Sequence, residues 1–542
     1  MTPVAAVTES PTECSDVPAA SYAGPRPAAP VPQLRPAMPS GGVRGWVGPI
    51  VVTVLAGILR FVHLGRPDDI IFDETYYVKD ALALLRFGHE RDGIENANDI
   101  ILAGDAAWDQ LDIFTDKASF VVHPPLGKWV IAVGEWAFGV TPFGWRFGVA
   151  VLGTLSVLMT ARIMRRLTRS DAVGTIAGLL VALDGLHIVM SRTALLDLSL
   201  MFLVLAAFGF LLIDRDSVRS RVMAMWPTIG EPVAHGTGVV GRLGPSLGLR
   251  PWRIAAGVSL GLACGVKWSG LWFVALFGLL TVAWDLQLRR SLRVRHPLRG
   301  MLLSDAAPAF LSIVGVGAVA YLATWTGWLV TDGGYDRQWA ATHPGLPFVP
   351  DALRSLAEYH RAAWAFHVGL ESPHAYKSSA WSWLFMSRPT SFSYDAEGLS
   401  CGADRCAAEV LALGNPILWW AGLLAIGHNV WRAVAGRDWR SGALLVAYLA
   451  GWLPWMVFHS RTIFTFYAIV LVPFLAGMLA ISLASLPGGP DASPRRRTWG
   501  LITAGTVLIL IVVATWYFLP IWTGQVLTYD QWHWRMWMPT WI

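Results

Sequence analysis

Long apolar stretches recur along the chain and alternate with the segments that carry most of its charge. Each stretch reaches or approaches the roughly 20 residues that an α-helix needs to cross a bilayer. Because strands of a membrane barrel would show alternation instead, the pattern predicts an all-α polytopic membrane protein with about 11 transmembrane helices. The predicted spans lie near residues 46–64, 144–166, 172–190, 195–213, 252–266, 268–286, 305–329, 413–432, 441–458, 462–485 and 499–521.

One apolar stretch, residues 128–141, is too short for this role and contains Glu135. Counting it as a span would also place the arginines of residues 162–169 on the outer side of the membrane, whereas such clusters collect on the cytoplasmic side. We therefore expect a helix that lies along the outer interface.

Clusters of arginine predict the orientation, because cytoplasmic loops collect Lys and Arg. Placing all of them inside gives a cytoplasmic N-terminus and an outer C-terminus. Two long segments, 65–143 and 330–412, then lie outside. The clusters fall at 162–169, 215–253, 289–299, 432–440 and 495–497.

Composition agrees with this organisation, since 54% of the residues are hydrophobic and only 15% are charged. Residues 1–44 are rich in Pro, Ala and Ser and predict a disordered cytoplasmic tail without a cleavable signal. A membrane core with the first outer loop follows over 45–329, then the large outer loop 330–412. Residues 413–542 form the C-terminal helices and an outer tail. The net charge of +5 gives no reason to expect nucleic acid as a partner.

An adjacent acidic pair, Asp73-Glu74, follows the first span in the long loop. A carboxylate there could take the proton of an acceptor hydroxyl as that hydroxyl attacks. The sequence TYYVKDALALLRFG after the pair predicts an amphipathic helix, whose N-terminus would keep a carboxylate ionised. A simple helix cap is the competing interpretation.

The same loop carries cations that could hold the phosphate of a lipid-linked leaving group. They are Lys79, Lys117 and Lys128, the last in the segment His-Pro-Pro-Leu-Gly-Lys that begins at His123. His123 is a candidate proton carrier or donor contact, although a His before Pro-Pro also suits a structural turn.

Three further cations lie near predicted outer ends of spans: Arg146, Lys267 and Arg461. Guanidinium geometry suits two-point phosphate binding, whereas an Arg at a membrane boundary can also reach out to the lipid headgroups. A charge at the depth of Lys267 is costly unless it lines a cavity or meets a partner. Arg192 and Asp197 flank a turn and predict an ion pair.

Cys401 and Cys406 are separated by four residues in the second outer loop, where an oxidising environment makes a disulfide plausible. No His/Cys cluster has zinc-like spacing, and no phosphate-binding glycine motif lies between a strand and a helix. An activated donor should therefore be lipid-borne.

Several segments in this order resemble the protein O-mannosyltransferase family, membrane glycosyltransferases of the GT-C class, and most closely its bacterial branch. The match is carried by residues 70–85, 121–147, 182–202 and 412–420, with weaker support from 265–273 and 461–474. The acidic pair or the His-Pro-Pro segment alone would indicate only the wider class.

The resemblance implies a GT-C fold and transfer of mannose from polyprenyl-phosphate-mannose to Ser or Thr hydroxyls of exported proteins at the outer face of the plasma membrane. It implies that Asp73 is the base, that Glu74 positions the acceptor and that Arg146 binds the lipid phosphate. It requires no cofactor, although adjacent carboxylates could recruit a divalent cation, and it leaves open a pairing with the export channel. Residues 330–412 are too short for the extra domain of the eukaryotic relatives.

Two alternatives stay open. A GT-C transferase that acts on a lipid or glycan acceptor would carry the same acidic pair and cations. A transporter or flippase would also place charges in the membrane, but the absence of an evident internal repeat disfavours it.

Overall fold

Among the described residues of the computed structural model, seven helices are long and apolar enough to cross a membrane. The structure describes residues 42–104 and 107–542, together with Thr2, Leu34 and Met38. The predicted disordered tail thus lies almost wholly outside the described residues. The seven helices are Arg44–Phe61, Pro142–Thr168, Asp197–His235, Gly270–Ser291, Pro297–Thr324, Thr465–Ser485 and Pro494–Trp522.

The other four predicted spans also coincide with helices, which are shorter or less apolar. They are Asp171–Leu183, Pro251–Cys264, Pro416–Val434 and Trp439–Val457. The all-α membrane architecture is therefore confirmed, while the count of eleven spans stays a prediction.

Two span boundaries differ from the prediction. The span near 172–190 breaks at Asp184, whose carboxylate accepts a hydrogen bond from the backbone N–H of His187 at 2.9 Å and begins a second helix, Gly185–Met190. The next helix continues for 39 residues to His235, about 58 Å. Hydropathy misses this extension because it carries charged residues, which lower the mean hydropathy, and these charges are paired inside the protein. Asp214, for example, accepts a hydrogen bond from Arg250 Nε at 2.9 Å.

The first long loop is folded against the membrane helices. It contains the helices Glu74–Phe87, Ala97–Ala103 and Leu126–Phe138 and two antiparallel strands, Arg91–Gly93 and Phe114–Ala118. Leu126–Phe138 is the short helix expected at the interface. It crosses the next helix so closely that a Cβ on Gly134 would lie 2.1 Å from the carbonyl oxygen of Gly144.

The second long loop combines helices with a small sheet. Strand Thr390–Asp395 pairs antiparallel with Cys406–Ala412, which also pairs with Leu527–Thr528 from the C-terminal segment. Cys401 and Cys406 form the expected disulfide, with Cα atoms 5.9 Å apart. The helical elements here and elsewhere are Thr326–Val330, Trp339–Thr342, Asp351–Gly369, Ala380–Phe385, Gly238–Leu243, Tyr529–His533 and Pro539–Trp541.

The buried carboxylate of Asp184 joins the two halves of the chain. Besides His187, it accepts from the backbone N–H of Asn415 at 3.2 Å and from Trp419 Nε1 at 2.8 Å. Because a buried charge is stable only when its hydrogen bonds are satisfied, this contact fixes the C-terminal helices beside the helices that follow the first loop.

Candidate active site

Asp73 directly precedes the helix Glu74–Phe87, yet its side chain makes no capping hydrogen bond. The carboxylate is half-buried, and no described side chain or backbone group donates to it. Burial raises its pKa from 3.8 to about 6; the charge of Lys267 opposes this rise and that of Asp197 adds to it. The helix-cap interpretation is therefore wrong, and Asp73 is an unpaired group able to take up a proton.

The residue before Asp73 holds the backbone in a sparsely populated conformation. Phe72 has φ of 51°, in the left-handed region that non-glycine residues rarely adopt. Its ring stacks on Phe392 with centroids 4.7 Å apart and meets Phe466 at 5.6 Å. Strain of this kind costs about 1–3 kcal/mol and collects at functional sites. These aromatic contacts from the second half of the chain therefore fix where Asp73 lies.

Glu74 and Arg146 form a pair that is wholly buried. Arg146 Nε and Nη2 donate to the two carboxylate oxygens at 2.8 Å each, and Ala194 N–H adds a bond of 2.9 Å to Glu74. Arg146 also donates to the carbonyls of Pro67 and Asp69 at 2.7 and 2.8 Å. Both groups therefore have partners inside the protein, and the predicted contacts of Arg146 with the lipid phosphate and of Glu74 with the acceptor stay predictions.

Lys128 is also used internally. Its buried ammonium donates to Glu90 and to the carbonyl of His123 at 3.1 Å and lies 3.9 Å from Asp80. The predicted role of Lys128 in donor binding likewise stays a prediction. Lys128 ties the His-Pro-Pro segment to the rest of the first loop.

Lys267 lies in the turn between Pro251–Cys264 and Gly270–Ser291. Its ammonium donates to Asp197 at 2.8 Å and sits 4.9 Å from the centre of the Tyr467 ring. Burial lowers the pKa of Lys267, but the charge of Asp197 and its hydrogen bond, together with Tyr467 and Asp73, raise it more, so the net pKa is raised. The predicted Arg192–Asp197 ion pair is wrong, since Arg192 donates to carbonyls at the end of the first helix, including that of Arg60 at 2.9 Å.

A cavity of about 320 Å³ gathers the remaining candidates. Lys267, Arg461, His123 and Asp197 line it, together with His367, which no sequence motif indicates. His123 Nδ1 is buried without a hydrogen-bond partner in the described structure. Burial, followed by the charge of Lys267, holds the pKa of His123 well below 6.5. The cavity wall thus presents two cations, the carboxylate of Asp197 and two imidazoles, and its residues Lys267 and Asp197 interact electrostatically with Asp73.

A second, almost wholly apolar cavity of about 540 Å³ adjoins the first. Trp268, Leu271 and Trp364 line both, and Cys264 and Tyr321 line the second. Among the described residues, no group of three or more His, Cys, Asp or Glu side chains is arranged to hold a metal ion. The site therefore offers a charged chamber next to an apolar one.

Comparison with known proteins agrees with this arrangement. Residues 50–228 match the family described as dolichyl-phosphate-mannose-protein mannosyltransferase, and residues 352–541 match the C-terminal four-helix region of protein O-mannosyltransferases. The polyprenol-phosphate-mannose–protein mannosyltransferase of Mycolicibacterium smegmatis is 38% identical over 98% of this chain and 99% of its own length. That of Corynebacterium glutamicum is 33% identical over 91% and 92%.

The fold has a solved counterpart. The Saccharomyces cerevisiae protein O-mannosyltransferase Pmt1–Pmt2 complex, determined with its sugar donor, superposes with a TM-score of 0.66 over 96% of this chain and 97% of the yeast chain, at 15% identity. That likeness shows the GT-C fold. The sequence identity to the bacterial enzymes shows that the chain belongs to the protein O-mannosyltransferase family.

Proposed function

We propose that this enzyme moves mannose from polyprenyl-phosphate-mannose to Ser and Thr hydroxyls of exported proteins, at the outer face of the plasma membrane. The observation that carries the proposal is the unpaired carboxylate of Asp73, whose pKa is raised to about 6 and which interacts electrostatically with Lys267, a cation that lines the cavity together with Arg461. Family membership supplies the substrate class.

The reaction is a single displacement with inversion at the anomeric carbon. The acceptor hydroxyl gives its proton to Asp73 while its oxygen forms the bond to that carbon. The bond from the carbon to the phosphate oxygen breaks on the opposite face, and polyprenyl phosphate leaves with its electron pair. General-base catalysis of this kind contributes about 10²–10⁴-fold.

The leaving phosphate needs positive charge more than it needs a proton, because phosphate is already a good leaving group. Lys267 and Arg461 supply that charge from the cavity wall, and donors placed in advance where negative charge develops give the largest electrostatic benefit. The prenyl chain occupies the neighbouring apolar cavity, whose wall is continuous with the first through Trp268 and Trp364. This mechanism uses no metal, so chelator-treated enzyme should keep its activity.

The buried pairs have a supporting role. Glu74 and Arg146 anchor the chain on both sides of Asp73, since Arg146 also holds the carbonyls of Pro67 and Asp69. They fix the base in place without touching either substrate.

Membranes that contain the protein, given labelled polyprenyl-phosphate-mannose and a Thr-rich peptide, test the proposal. Label should enter the peptide with the wild type and nearly vanish with Asp73→Asn. Asp68→Asn, which changes an exposed carboxylate of the same loop, is the matched control and should transfer normally. Label that enters lipid or glycan instead of peptide would refute the acceptor class, and normal transfer by Asp73→Asn would refute the base.

A further inference from the structure

The helix Asp351–Gly369 docks on the His-Pro-Pro segment through two side chains. The Tyr359 hydroxyl donates to the carbonyl of Val121 at 2.8 Å and accepts from the N–H of the same residue at 3.2 Å. Two turns later, His367 Nε2 lies 3.0 Å from the carbonyl oxygen of Val122. This places His367 in the wall of the charged cavity.

The contact with Val122 decides the tautomer of His367. A carbonyl oxygen only accepts hydrogen bonds, so Nε2 carries the proton and Nδ1 has a free lone pair. Burial, followed by the charge of Arg461, lowers the pKa of His367 to about 4. The ring is therefore neutral at neutral pH, with an acceptor nitrogen that faces Arg461.

Arg461 uses that acceptor. Its Nη2 donates to His367 Nδ1 at 3.2 Å, and its guanidinium lies 5.7 Å from the centre of the Trp455 ring. Its Nε is buried with no hydrogen-bond partner in the described part of the chain. The bond to His367 is thus the hydrogen bond that orients the guanidinium. The remaining N–H groups of Arg461 stay free to donate to a ligand in the cavity.

We infer that His367 is a positioning residue, which holds the guanidinium of Arg461 in the orientation that binds the phosphate of the donor. The inference rests on the proposed function, in which Arg461 meets that phosphate. A neutral imidazole suits the task because it orients the arginine without cancelling its charge. The carboxylate of Asp197, by contrast, offsets part of the charge of Lys267 as it holds that ammonium in place.

Two substitutions of His367 each keep one of its two hydrogen bonds, with Val122 or with Arg461, and remove the other. The amide oxygen of Asn can occupy the place of Nδ1, whereas the amide nitrogen of Gln reaches the place of Nε2. His367→Gln should therefore keep the bond to Val122 and lose the one to Arg461. Since one hydrogen bond to a charged group is worth about 10–100-fold in affinity, His367→Gln should raise the donor KM by about that factor and leave the acceptor KM unchanged. His367→Asn should stay closer to the wild type.

A double-mutant cycle and a matched control complete the experiment. Added to Arg461→Ala, His367→Gln should have no further effect on the donor KM. Tyr359→Phe removes both bonds to Val121 from the same helix but leaves His367 and Arg461 in contact, so its donor KM should match the wild type.

The outcomes distinguish the inference from the function on which it rests. If Arg461→Ala leaves the donor KM unchanged, the proposed phosphate role of Arg461 fails. If Arg461→Ala raises it but His367→Gln does not, only the inference fails. An equal effect of Tyr359→Phe and His367→Gln would show that docking of the helix is what matters. An effect of His367→Asn as large as that of His367→Gln would show that the bond to Arg461 does not set the donor KM. Either result would overturn the inference.

Discussion

Replacing Lys267 by Met should move the acid limb of the pH–rate profile to higher pH. Asp73 must be ionised to act as a base, and its pKa is raised to about 6 by burial, with Lys267 opposing the rise and Asp197 adding to it. Without the ammonium, burial and the charge of Asp197 remain, and both disfavour the ionised carboxylate, so the pKa of Asp73 rises further.

The size of the effect follows from electrostatics. Unit charges roughly 8–16 Å apart, at an effective dielectric constant of about 20, interact by about 1–2 kcal/mol. A change of 1 in pKa corresponds to about 1.4 kcal/mol, so the acid limb should move from near pH 6 to about pH 7. At pH 7 the ionised fraction of Asp73 would fall from about nine-tenths to about one half.

The assay is kcat/KM for the donor from about pH 5 to 9, because this ratio reports the ionisations of the free enzyme. Because Lys267→Met should also weaken donor binding and lower kcat/KM at every pH, the variants are compared by the pH at which the acid limb falls to half its maximum. His123 and His367 do not titrate near pH 6, since burial lowers the pKa of both. Lys267→Arg keeps the charge and should keep the limb in place. A limb that stays near pH 6 in Lys267→Met would refute the coupling between Lys267 and the base.

Three further predictions separate the remaining roles. Asp73→Asn should lower transfer by about 10²–10⁴-fold while leaving the unfolding temperature unchanged or higher, because burial of the free carboxylate opposes its ionised form; a clear loss of thermal stability would contradict this. Glu74→Gln should instead destabilise the protein by about 3–5 kcal/mol, since it leaves the buried cation of Arg146 uncompensated. Thermal unfolding in detergent measures this loss, and an unfolding temperature equal to that of the wild type would contradict the prediction. Cysteines introduced at 380–395 should react with impermeant reagents from outside and those at 225–245 should not, and the opposite pattern would invert the predicted orientation.

Much of the architecture was accessible from hydropathy alone. Each predicted span coincides with a helix, and the short stretch that begins at Lys128 forms the separate helix Leu126–Phe138. The family and the class of enzyme are confirmed as well, because nearly the whole chain matches bacterial protein mannosyltransferases. Hydropathy failed at the end of the fourth span, where the ion pair of Asp214 with Arg250 lets the helix Asp197–His235 continue.

The partners of individual charged residues could not be predicted from the sequence, because they lie far away along the chain. Glu74 meets Arg146 after 72 residues, and Lys267 meets Asp197 after 70. A charge near a membrane boundary shows the same sequence pattern whether it faces a substrate or a buried partner. His367 gave no local signal at all, since its contact with Val122 joins the two long loops and its contact with Arg461 joins the second loop to a segment almost a hundred residues away.

The two adjacent carboxylates show why the pair could not be assigned from sequence. The helix that follows them turns Glu74 inward, where Arg146 and the N–H of Ala194 satisfy it. Asp73, which follows the left-handed backbone of Phe72, makes no capping hydrogen bond and interacts by charge with Lys267 and Asp197. An ion pair inside the protein would hold a carboxylate ionised but too occupied to take a proton, whereas an isolated one keeps a pKa close to the working pH. The chain therefore divides two chemically similar residues between one that fixes the loop and one that is free to react, and it is the backbone at Phe72 that decides which is which.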